Sequence, residues 1–381
     1  QMLIAKKVRL LPTPEQESLF WQSAGTARWA YNYGLGRIQD TYDETGKWLM
    51  VGDVKKEITV MKYTEEYEWL QNVSANVPKQ ALRNLQKALK RKKDGVSEFP
   101  TFKKKHGSNI SFYVNYESLT KTDKGFKGEM LGEVLTSEPL PTLPEGEKYS
   151  EPTISFDGKF WYLSVGYKRD FVKESGLEGI LSIDLGLKDL ATVAKDRQDF
   201  AVFANINKSR RVRVLEKRLK KLQRKFSKAQ KGSKNKEKLR RHIKNIYRTL
   251  TNIRDNHNHQ MTSFLVKAKP EMIVTETLQI EKMMKNKQLA KSISDVKWYD
   301  ILRQLRYKCK KHGITMIQVD PYYASSKTCS NCGHKKSHLG LEEREYICEE
   351  CGYEVGRDQN ATYNLYDEGL RIYKEMIETS V

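Results

Sequence analysis

The sequence Cys329-Ser330-Asn331-Cys332, followed after fifteen residues by Cys348-Glu349-Glu350-Cys351, has the spacing of a zinc ribbon. In such a ribbon four thiolates surround one Zn²⁺, and the closed site holds a fold together without activating water. Two disulfides are the alternative, but they need an oxidising compartment, which nothing in the sequence indicates. We therefore predict a structural zinc site at these four cysteines, in an insert over 325–353.

The net charge indicates the class of partner. The 381 residues include 69 Lys and Arg against 48 Asp and Glu, which gives a formal net charge of +21. An excess of this size favours a polyanion, most simply nucleic acid. A membrane surface is the competing polyanion, but the sequence has no signal peptide, no lipidation motif and no apolar run of about 18 residues. We expect a cytoplasmic, monomeric protein of two or three domains with no membrane partner.

The first 170 residues predict a β-barrel-like module with a helical insertion. Residues 2–11 alternate as a strand does, and Thr13-Pro14-Glu15-Gln16 predicts the start of a helix with a capping box. Later patterns predict helices near 53–63 and 76–92 and strands over 110–116 and 153–167. The strand over 2–11 is expected to pair with the later ones.

The pattern changes at Gly179. A buried strand ends in Asp184 and is followed by a hairpin return over 185–193, and a second buried strand over 272–276 ends in Glu276. After these we predict a helix near 293–312, a strand over 314–320, and a last helix that starts at about Asp358.

A basic helical hairpin is predicted over 208–267. Lys and Arg fill nearly half of the positions from 208 to 248, where Glu216 and Glu237 are the only acids. Leucine and isoleucine at helical spacing form an apolar seam, and Gly232-Ser233 separates the two helices. A solvated charged face is the alternative, but such faces usually mix signs. We therefore predict contact with a nucleic-acid backbone, through residues such as Lys220, Lys221 and Arg224.

Three carboxylates, Asp184, Glu276 and Asp358, each stand at a strand end or a helix start. An RNase H-like fold assembles a two-metal site in this way, and hard oxygen ligands suit Mg²⁺ or Mn²⁺. Each acid alone is weak evidence, because an acid at a strand end is more often a cap or a surface charge. We assign that structural role to three nearby acids, Asp189, Asp196 and Asp320.

The ordered motifs resemble the transposon-encoded TnpB (OrfB) family, which is related to the miniature type V CRISPR nucleases. The resemblance runs nearly end to end. The segments that carry it are Arg9-Leu10-Leu11-Pro12, 99–105 (Phe-Pro-Thr-Phe-Lys-Lys-Lys), 183–191 (Ile-Asp-Leu-Gly-Leu-Lys-Asp-Leu-Ala), Lys231-Gly232-Ser233, Ile293-Ser294-Asp295 with Trp298, 325–333 (Ser-Ser-Lys-Thr-Cys-Ser-Asn-Cys-Gly) and 357–361 (Arg-Asp-Gln-Asn-Ala). Thr277 and Gly356 depart from residues common in the family, but neither departure removes an acid.

The resemblance implies a multidomain α+β protein that is an RNA-guided DNA endonuclease. It implies a wedge β-barrel over 1–12 and 98–172, a helical recognition domain over 13–97, and a RuvC (RNase H-like) nuclease domain over 178–324 and 354–381. It also implies that the zinc-ribbon insert contacts target nucleic acid. Its catalytic acids, which would hold magnesium, fall on Asp184, Glu276 and Asp358.

The implied partners are a guide (omega) RNA and a double-stranded DNA target beside a short target-adjacent motif, which recognition helices would read. Candidate contacts at one helix start are Asn76, Lys79 and Gln80, for which a polar cap or surface role is the alternative. The basic run Lys103, Lys104 and Lys105 is a further candidate. Two other functions stay open: an RNA-guided DNA-binding repressor that does not cut, and a DNA transposase.

Overall fold

The computed structural model describes residues 2–105, 109–171, 174–340 and 342–379. The chain divides into two compact units, with the boundary between Asp170 and Phe171. Within the described ranges, every helix is too short or too polar to cross a bilayer. The predicted module boundary at residue 172 lies outside the described residues.

The first unit is a sheet with a group of helices. Its elements are β1 (Met2–Leu11), α1 (Pro14–Thr45), α2 (Val51–Met61), a 3₁₀ helix (Glu65–Asn72), α3 (Asn76–Lys93), β2 (Ile110–Tyr113), β3 (Thr120–Lys121), β4 (Gly125–Gly128), β5 (Gly132–Thr136), β6 (Ser150–Phe156) and β7 (Trp161–Arg169). The predicted first strand and the helices near 53–63 and 76–92 are confirmed.

Seven strands of this unit form one sheet in the order β2-β6-β7-β1-β5-β4-β3. Strand β1 lies in the middle, as expected: Met2 to Arg9 pair with β7, and Leu10 and Leu11 pair with β5. The sequence did not reveal β3 to β5, which are short, and β4 and β5 contain glycine. Gly125 is required there, because a Cβ at this position would lie 1.9 Å from the carbonyl oxygen of Val134.

Helix α1 begins as its sequence predicts. The Thr13 hydroxyl accepts a hydrogen bond from the Gln16 N–H (3.2 Å), and the Gln16 side chain accepts one from the Thr13 N–H (3.1 Å). This capping box satisfies two backbone donors that the helix itself cannot. Further along, α1 packs closely on α3, since a Cβ at Gly34 would lie 2.7 Å from the Leu82 side chain.

The second unit combines a five-stranded sheet, long helices and a small cysteine-bearing ribbon. Its elements are β8 (Ile180–Leu185), β9 (Asp189–Lys195), β10 (Gln198–Ala204), α4 (Arg210–Lys228), α5 (Lys234–Lys267), β11 (Met272–Glu276), α6 (Ile280–Met283), α7 (Ala290–Val296), α8 (Trp298–His312), β12 (Thr315–Val319), β13 (Glu345–Ile347), β14 (Glu354–Gly356) and α9 (Arg357–Glu378).

The prediction of one helix over 293–312 is wrong. Two helices, α7 and α8, meet at Lys297, whose φ of 59° is left-handed and ends the first helix. Its ammonium group pairs with Asp255 of α5, a contact that the sequence pattern does not disclose. The strands predicted at 179–184, 272–276 and 314–320 and the last helix are confirmed.

The sheet of the second unit has the order β10-β9-β8-β11-β12. Strands β10, β9 and β8 are antiparallel, whereas β8, β11 and β12 are parallel. Helix α9 covers one face, where Leu365 packs with Met272 and Val274. Helices α5 and α8 cover the other face, where Leu265 and Leu305 pack with Ile183.

The hairpin of α4 and α5 forms as predicted. Ser209 and Ser233 cap the two helices by accepting hydrogen bonds from the backbone N–H groups of Val212 and Lys236. The apolar seam between the helices is formed by Val212, Leu215, Leu219, Leu222, Ile243, Ile246, Leu250 and Ile253.

Candidate metal sites and nucleic-acid interface

Strand alternation places Asp184 and Glu276 on the same face of the sheet. In β11, Thr275 pairs with Ile183 of the parallel strand β8, so the next residues of the two strands, Glu276 and Asp184, lie side by side. Ile180 and Met272, an even number of positions earlier in each strand, pack against α9. Because side chains alternate along a strand, Asp184 and Glu276 share this α9-covered face.

Asp358 comes to the same face from the first turn of α9. Ala361 and Leu365 follow it at helical spacing, and both are buried. Farther along, α9 lies so close to the sheet that a Cβ at Gly369 would come within 2.4 Å of the Val274 side chain. The packing that fixes α9 on the sheet therefore points its first turn towards the ends of β8 and β11.

The pKa of Asp184 reflects both burial and the charges of the other two acids. Burial raises the pKa of Asp184 well above its usual range, and the nearby Glu276 and Asp358 charges raise it further, while the Arg357 guanidinium lowers it. Burial raises the pKa of Glu276 to about 7. Like charges held together in this way favour either a proton or a bound cation. Arg357 is a residue that sequence reasoning missed, although it directly precedes Asp358 in the motif.

The three acids remain partly exposed, so solvent and ions reach them. Oxygen donors of this kind suit Mg²⁺ or Mn²⁺, and the donor set therefore fits the predicted ions. Among the described residues, only the four cysteines bring three or more candidate ligand atoms within 4.8 Å of one another.

Two of the three acids given a structural role make caps or turns. The Asp196 carboxylate accepts a hydrogen bond from the Ile180 N–H at 2.8 Å, which fixes the start of β8. The Asp320 carboxylate accepts one from the Tyr322 N–H at 2.8 Å, which closes a turn after β12. Asp189 is the first residue of β9 and is partly exposed.

The four cysteines have the geometry of a closed tetrahedral site. The Sγ atoms of Cys329 and Cys351 are 3.8 Å apart, and those of Cys332 and Cys348 are 3.6 Å apart. Four thiolates about 2.3 Å from one Zn²⁺ would be about 3.8 Å apart, whereas a disulfide requires about 2.05 Å. The observed spacing therefore fits a metal ion and excludes the disulfide alternative. Tyr346, fully buried, packs beside them.

In the basic hairpin, few acids are available to neutralise the many Lys and Arg side chains. Glu216 pairs with Arg254 (3.2 Å) and Lys291 (2.9 Å), and Glu237 pairs with Arg240. Both acids between 208 and 248 are therefore committed to internal ion pairs. The predicted contact residues Lys220, Lys221 and Arg224 are all exposed on α4.

The candidate contacts of the first unit are dispersed. A cavity of about 140 Å³ is lined by Gln80, Lys103, Lys104 and Lys105 together with Arg28. Asn76 does not line it, since its side-chain amide donates to Glu129 at 3.0 Å.

Lys79 lines a separate cavity of about 330 Å³. Lys103 is partly buried. Asn32 holds its backbone through two hydrogen bonds, and its ammonium lies 3.9 Å over the Tyr31 ring. Burial lowers the pKa of Lys103.

Three family models match the chain. "Helix-turn-helix domain" matches residues 2–47, "Probable transposase", the OrfB model, matches 173–287, and "Cas12f1-like, TNB domain" matches 298–365. A "Putative RNA-guided DNA endonuclease" of Streptomyces pristinaespiralis is 31% identical over 378 residues, which cover 97% of this chain and 90% of the relative. The chain belongs to the TnpB (OrfB) family.

Two further comparisons agree with TnpB membership. The "Putative RNA-guided DNA endonuclease InsQ" of Escherichia coli K12 is 28% identical, over 99% of this chain and 95% of the relative. The fold is similar to that in the "Cryo-EM structure of the Cas12f1-sgRNA-target DNA complex", with a TM-score of 0.54, 16% identity, and coverage of 96% of this chain and 98% of that one. This TnpB chain therefore has a mixed α+β fold similar to that of Cas12f1.

Proposed function

We propose that the protein is an RNA-guided DNA endonuclease that cuts beside a short target-adjacent motif. The observation that carries the proposal is the meeting of Asp184, Glu276 and Asp358 on one face of the sheet, where burial and then the other two charges raise the pKa of Asp184. The strand order β10-β9-β8-β11-β12 supports an RNase H-like, RuvC-type nuclease domain. The names of the two relatives support the RNA-guided function.

The three acids would hold Mg²⁺ or Mn²⁺. When bound, such ions activate water and stabilise the leaving 3′ oxygen of a phosphodiester. The carboxylates supply the negative charge that attracts the ions, and Arg357 offsets part of that charge beside Asp184. The four cysteines would hold Zn²⁺ with no open position, which gives the ribbon a structural role.

The other residues of the proposal bind nucleic acid. The exposed cations of α4 would hold a guide–target duplex by its phosphates, leaving the choice of sequence to base pairing. The first unit would contribute a wedge module and a recognition module that read the target-adjacent motif. Gln80 and the Lys103–Lys105 run, which line one cavity, are the proposed contacts.

The test uses protein purified from cells that carry its native locus. Bound RNA is sequenced, and the complex is then given a plasmid with a guide-matched target beside a randomised flank. The proposal expects a discrete RNA and linear product that requires Mg²⁺ or Mn²⁺. A bound RNA with guide-dependent binding but no product would favour the repressor. Strand transfer without RNA would favour the transposase.

A further inference from the structure

Two asparagines of α9 hold the loop that leads into the first cysteine pair. The Asn360 amide donates to the Thr328 carbonyl at 2.7 Å and accepts from the Ser330 N–H at 3.0 Å. One turn later, the Asn364 amide donates to the carbonyls of Ser325 (2.7 Å) and Thr328 (2.6 Å). Both asparagines are buried, at 0% and 3% exposure. Loss of either leaves buried backbone groups without partners, which is costly.

The same loop is held from its other side by Arg197. Its guanidinium donates to the Ser330 carbonyl at 2.5 Å and pairs with Asp367 of α9 at 3.4 Å. Arg197 lies in the tight turn between β9 and β10, where its φ is 62°. The backbone of Ser330, next to the ligand Cys329, is therefore fixed on both its N–H and its carbonyl side.

The other end of the ribbon runs straight into α9. Strand β14 ends at Gly356, and α9 begins at the next residue, Arg357. The Arg357 N–H donates to the Arg344 carbonyl at 2.8 Å, and its guanidinium donates to the Gly340 carbonyl at 2.6 Å. Asp358 follows directly, so the first turn of α9 is attached to the ribbon covalently and through hydrogen bonds.

We propose that the cysteine site positions the third acid. Metal bound by the four cysteines fixes the loop over 325–330 and the strand β14, and these two segments in turn fix the first turn of α9 and Asp358. Asn360, Asn364 and Arg197 are positioning residues in this scheme, because they act on the acid site only through the loop and the helix. The inference rests on the proposed nuclease function for its catalytic readout alone.

Coupling of this kind is reciprocal, which makes it measurable without cleavage. If zinc in the ribbon strengthens cation binding at the acids, then cations at the acids must strengthen zinc retention by the same factor. We expect Mn²⁺ to reduce zinc transfer to a zinc-selective chelator by about tenfold in the parent complex, within the usual range of coupling between sites. Asn364→Ala should abolish this protection.

The experiment compares the parent complex with Asn364→Ala and Tyr373→Phe. Tyr373 also lies on α9, but its hydroxyl contacts Glu271 and not the ribbon, so it is the matched control. Hydrogen exchange over 357–363 is followed with and without chelator, together with the Mg²⁺ concentration for half-maximal cleavage. Asn364→Ala should raise that concentration by about tenfold, and excess Mg²⁺ should restore cleavage. Excess Mg²⁺ should not restore cleavage by Asp358→Ala.

The outcomes separate this inference from the proposed function. Faster exchange over 357–363 after zinc removal from the parent supports it, even if the parent does not cut DNA. The inference is overturned if zinc removal lowers protection in the ribbon but leaves hydrogen exchange over 357–363 unchanged. It is also overturned if an active Asn364→Ala complex needs no more Mg²⁺ for cleavage than the parent. If Asn364→Ala does not fold, zinc removal from the parent still gives the deciding exchange measurement.

Discussion

The cysteine site and the carboxylate site of the second unit are built in opposite ways. The four cysteines come from two short segments, and their Sγ atoms already lie within 4.8 Å of one another. The three acids come from β8, β11 and α9 and stay partly exposed. A closed site of soft ligands stabilises local structure, whereas an open site of crowded hard ligands keeps room for substrate. We propose that the cysteines serve structure and the acids serve chemistry.

The largest expected effect is on the rate of DNA cleavage. Asp184→Ala, Glu276→Ala and Asp358→Ala each remove a metal ligand, so cleavage should fall by about 10³-fold or more, a barrier increase of about 4 kcal/mol. Zinc content and guide binding should persist, which would separate the two sites cleanly. A plasmid-cleavage time course gives the rate, and metal analysis gives the zinc content.

Asp189→Ala and Asp320→Ala are the controls for these variants. We expect both to cut within about tenfold of the parent rate, a barrier change of about 1.4 kcal/mol. A parental rate for Glu276→Ala would disprove the three-acid site.

The next effect is on local stability. Cys348→Ser removes one of four thiolates, and metal binding supplies about 10 kcal/mol or more of folding free energy in small zinc sites. We expect loss of bound zinc and loss of hydrogen-exchange protection in β13 and β14, measured by metal analysis and mass spectrometry. Cys309→Ala is the matched control, because Cys309 is buried in α8 away from the ribbon. Undiminished zinc in Cys348→Ser would contradict the assignment.

A smaller effect concerns nucleic-acid affinity, which we assign to exposed cations outside both sites. Charge reversal at Lys220, Lys221 and Arg224 removes phosphate neutralisation, so binding should weaken by about tenfold to hundredfold and depend less steeply on salt. The loss should be equal for all target sequences, as measured by titration at several salt concentrations. The exposed Lys374 of α9, reversed in the same way, should change little. A mutant that prefers a different target would disprove a backbone clamp.

The smallest effect tests a buried lysine that forms no ion pair within the described part of the chain. Lys308 donates to the hydroxyls of Thr262 (2.6 Å) and Ser263 (2.9 Å) and to the His259 carbonyl (3.1 Å) of α5. Burial, with a smaller contribution from Lys311, lowers its pKa to about 8. His259 also faces it, with its own pKa lowered by burial and then by Lys308.

Between pH 8 and about 10.4, the unfolded chain binds a proton at Lys308 that the folded chain does not, so this group adds stability as pH rises. Lys308→Met should therefore be more stable than the parent below pH 8 by about 1 kcal/mol, and this difference should vanish and then reverse as pH rises towards 10. Thermal unfolding from pH 7 to 10 measures the difference. The exposed Lys310 of the same helix, changed to Met, should show no such trend. A constant difference across this range would contradict the shifted pKa.

The sequence predicted those features that depend on the spacing of residues within one or two neighbouring elements. Two CxxC pairs, a capping box and apolar seams each lie within one or two turns or strands, and the ribbon, the start of α1 and the α4–α5 hairpin follow from them. The break at Lys297 was missed because a tertiary ion pair with Asp255 accompanies it. Strands β3 to β5 were missed because close backbone approach at Gly125, rather than an apolar pattern, defines them.

For the candidate site too, the sequence pattern alone marked some residues, whereas others are recognised only from tertiary structure. The pattern of a strand ending in a carboxylate marked Asp184 and Glu276, but Asp196 and Asp320 carry the same residue type near strand ends and make caps and turns. Only the parallel register of β8 with β11 and the packing of α9 distinguish the two groups. Arg197 and Asn364 had no signal in the sequence, because their partners are backbone carbonyls more than thirty residues away.

Helix α5 is a single rod of 34 residues, about 50 Å long. Its first half forms the seam with α4, where Ile246 and Leu250 lie. Its second half lies under the sheet, where Met261 and Leu265 belong to the main core. Because the rod has no break, a displacement of its outer end is carried to its inner end, a few residues before the strand that bears Glu276. One continuous helix therefore joins the basic hairpin to the core on the face of the sheet opposite the acids.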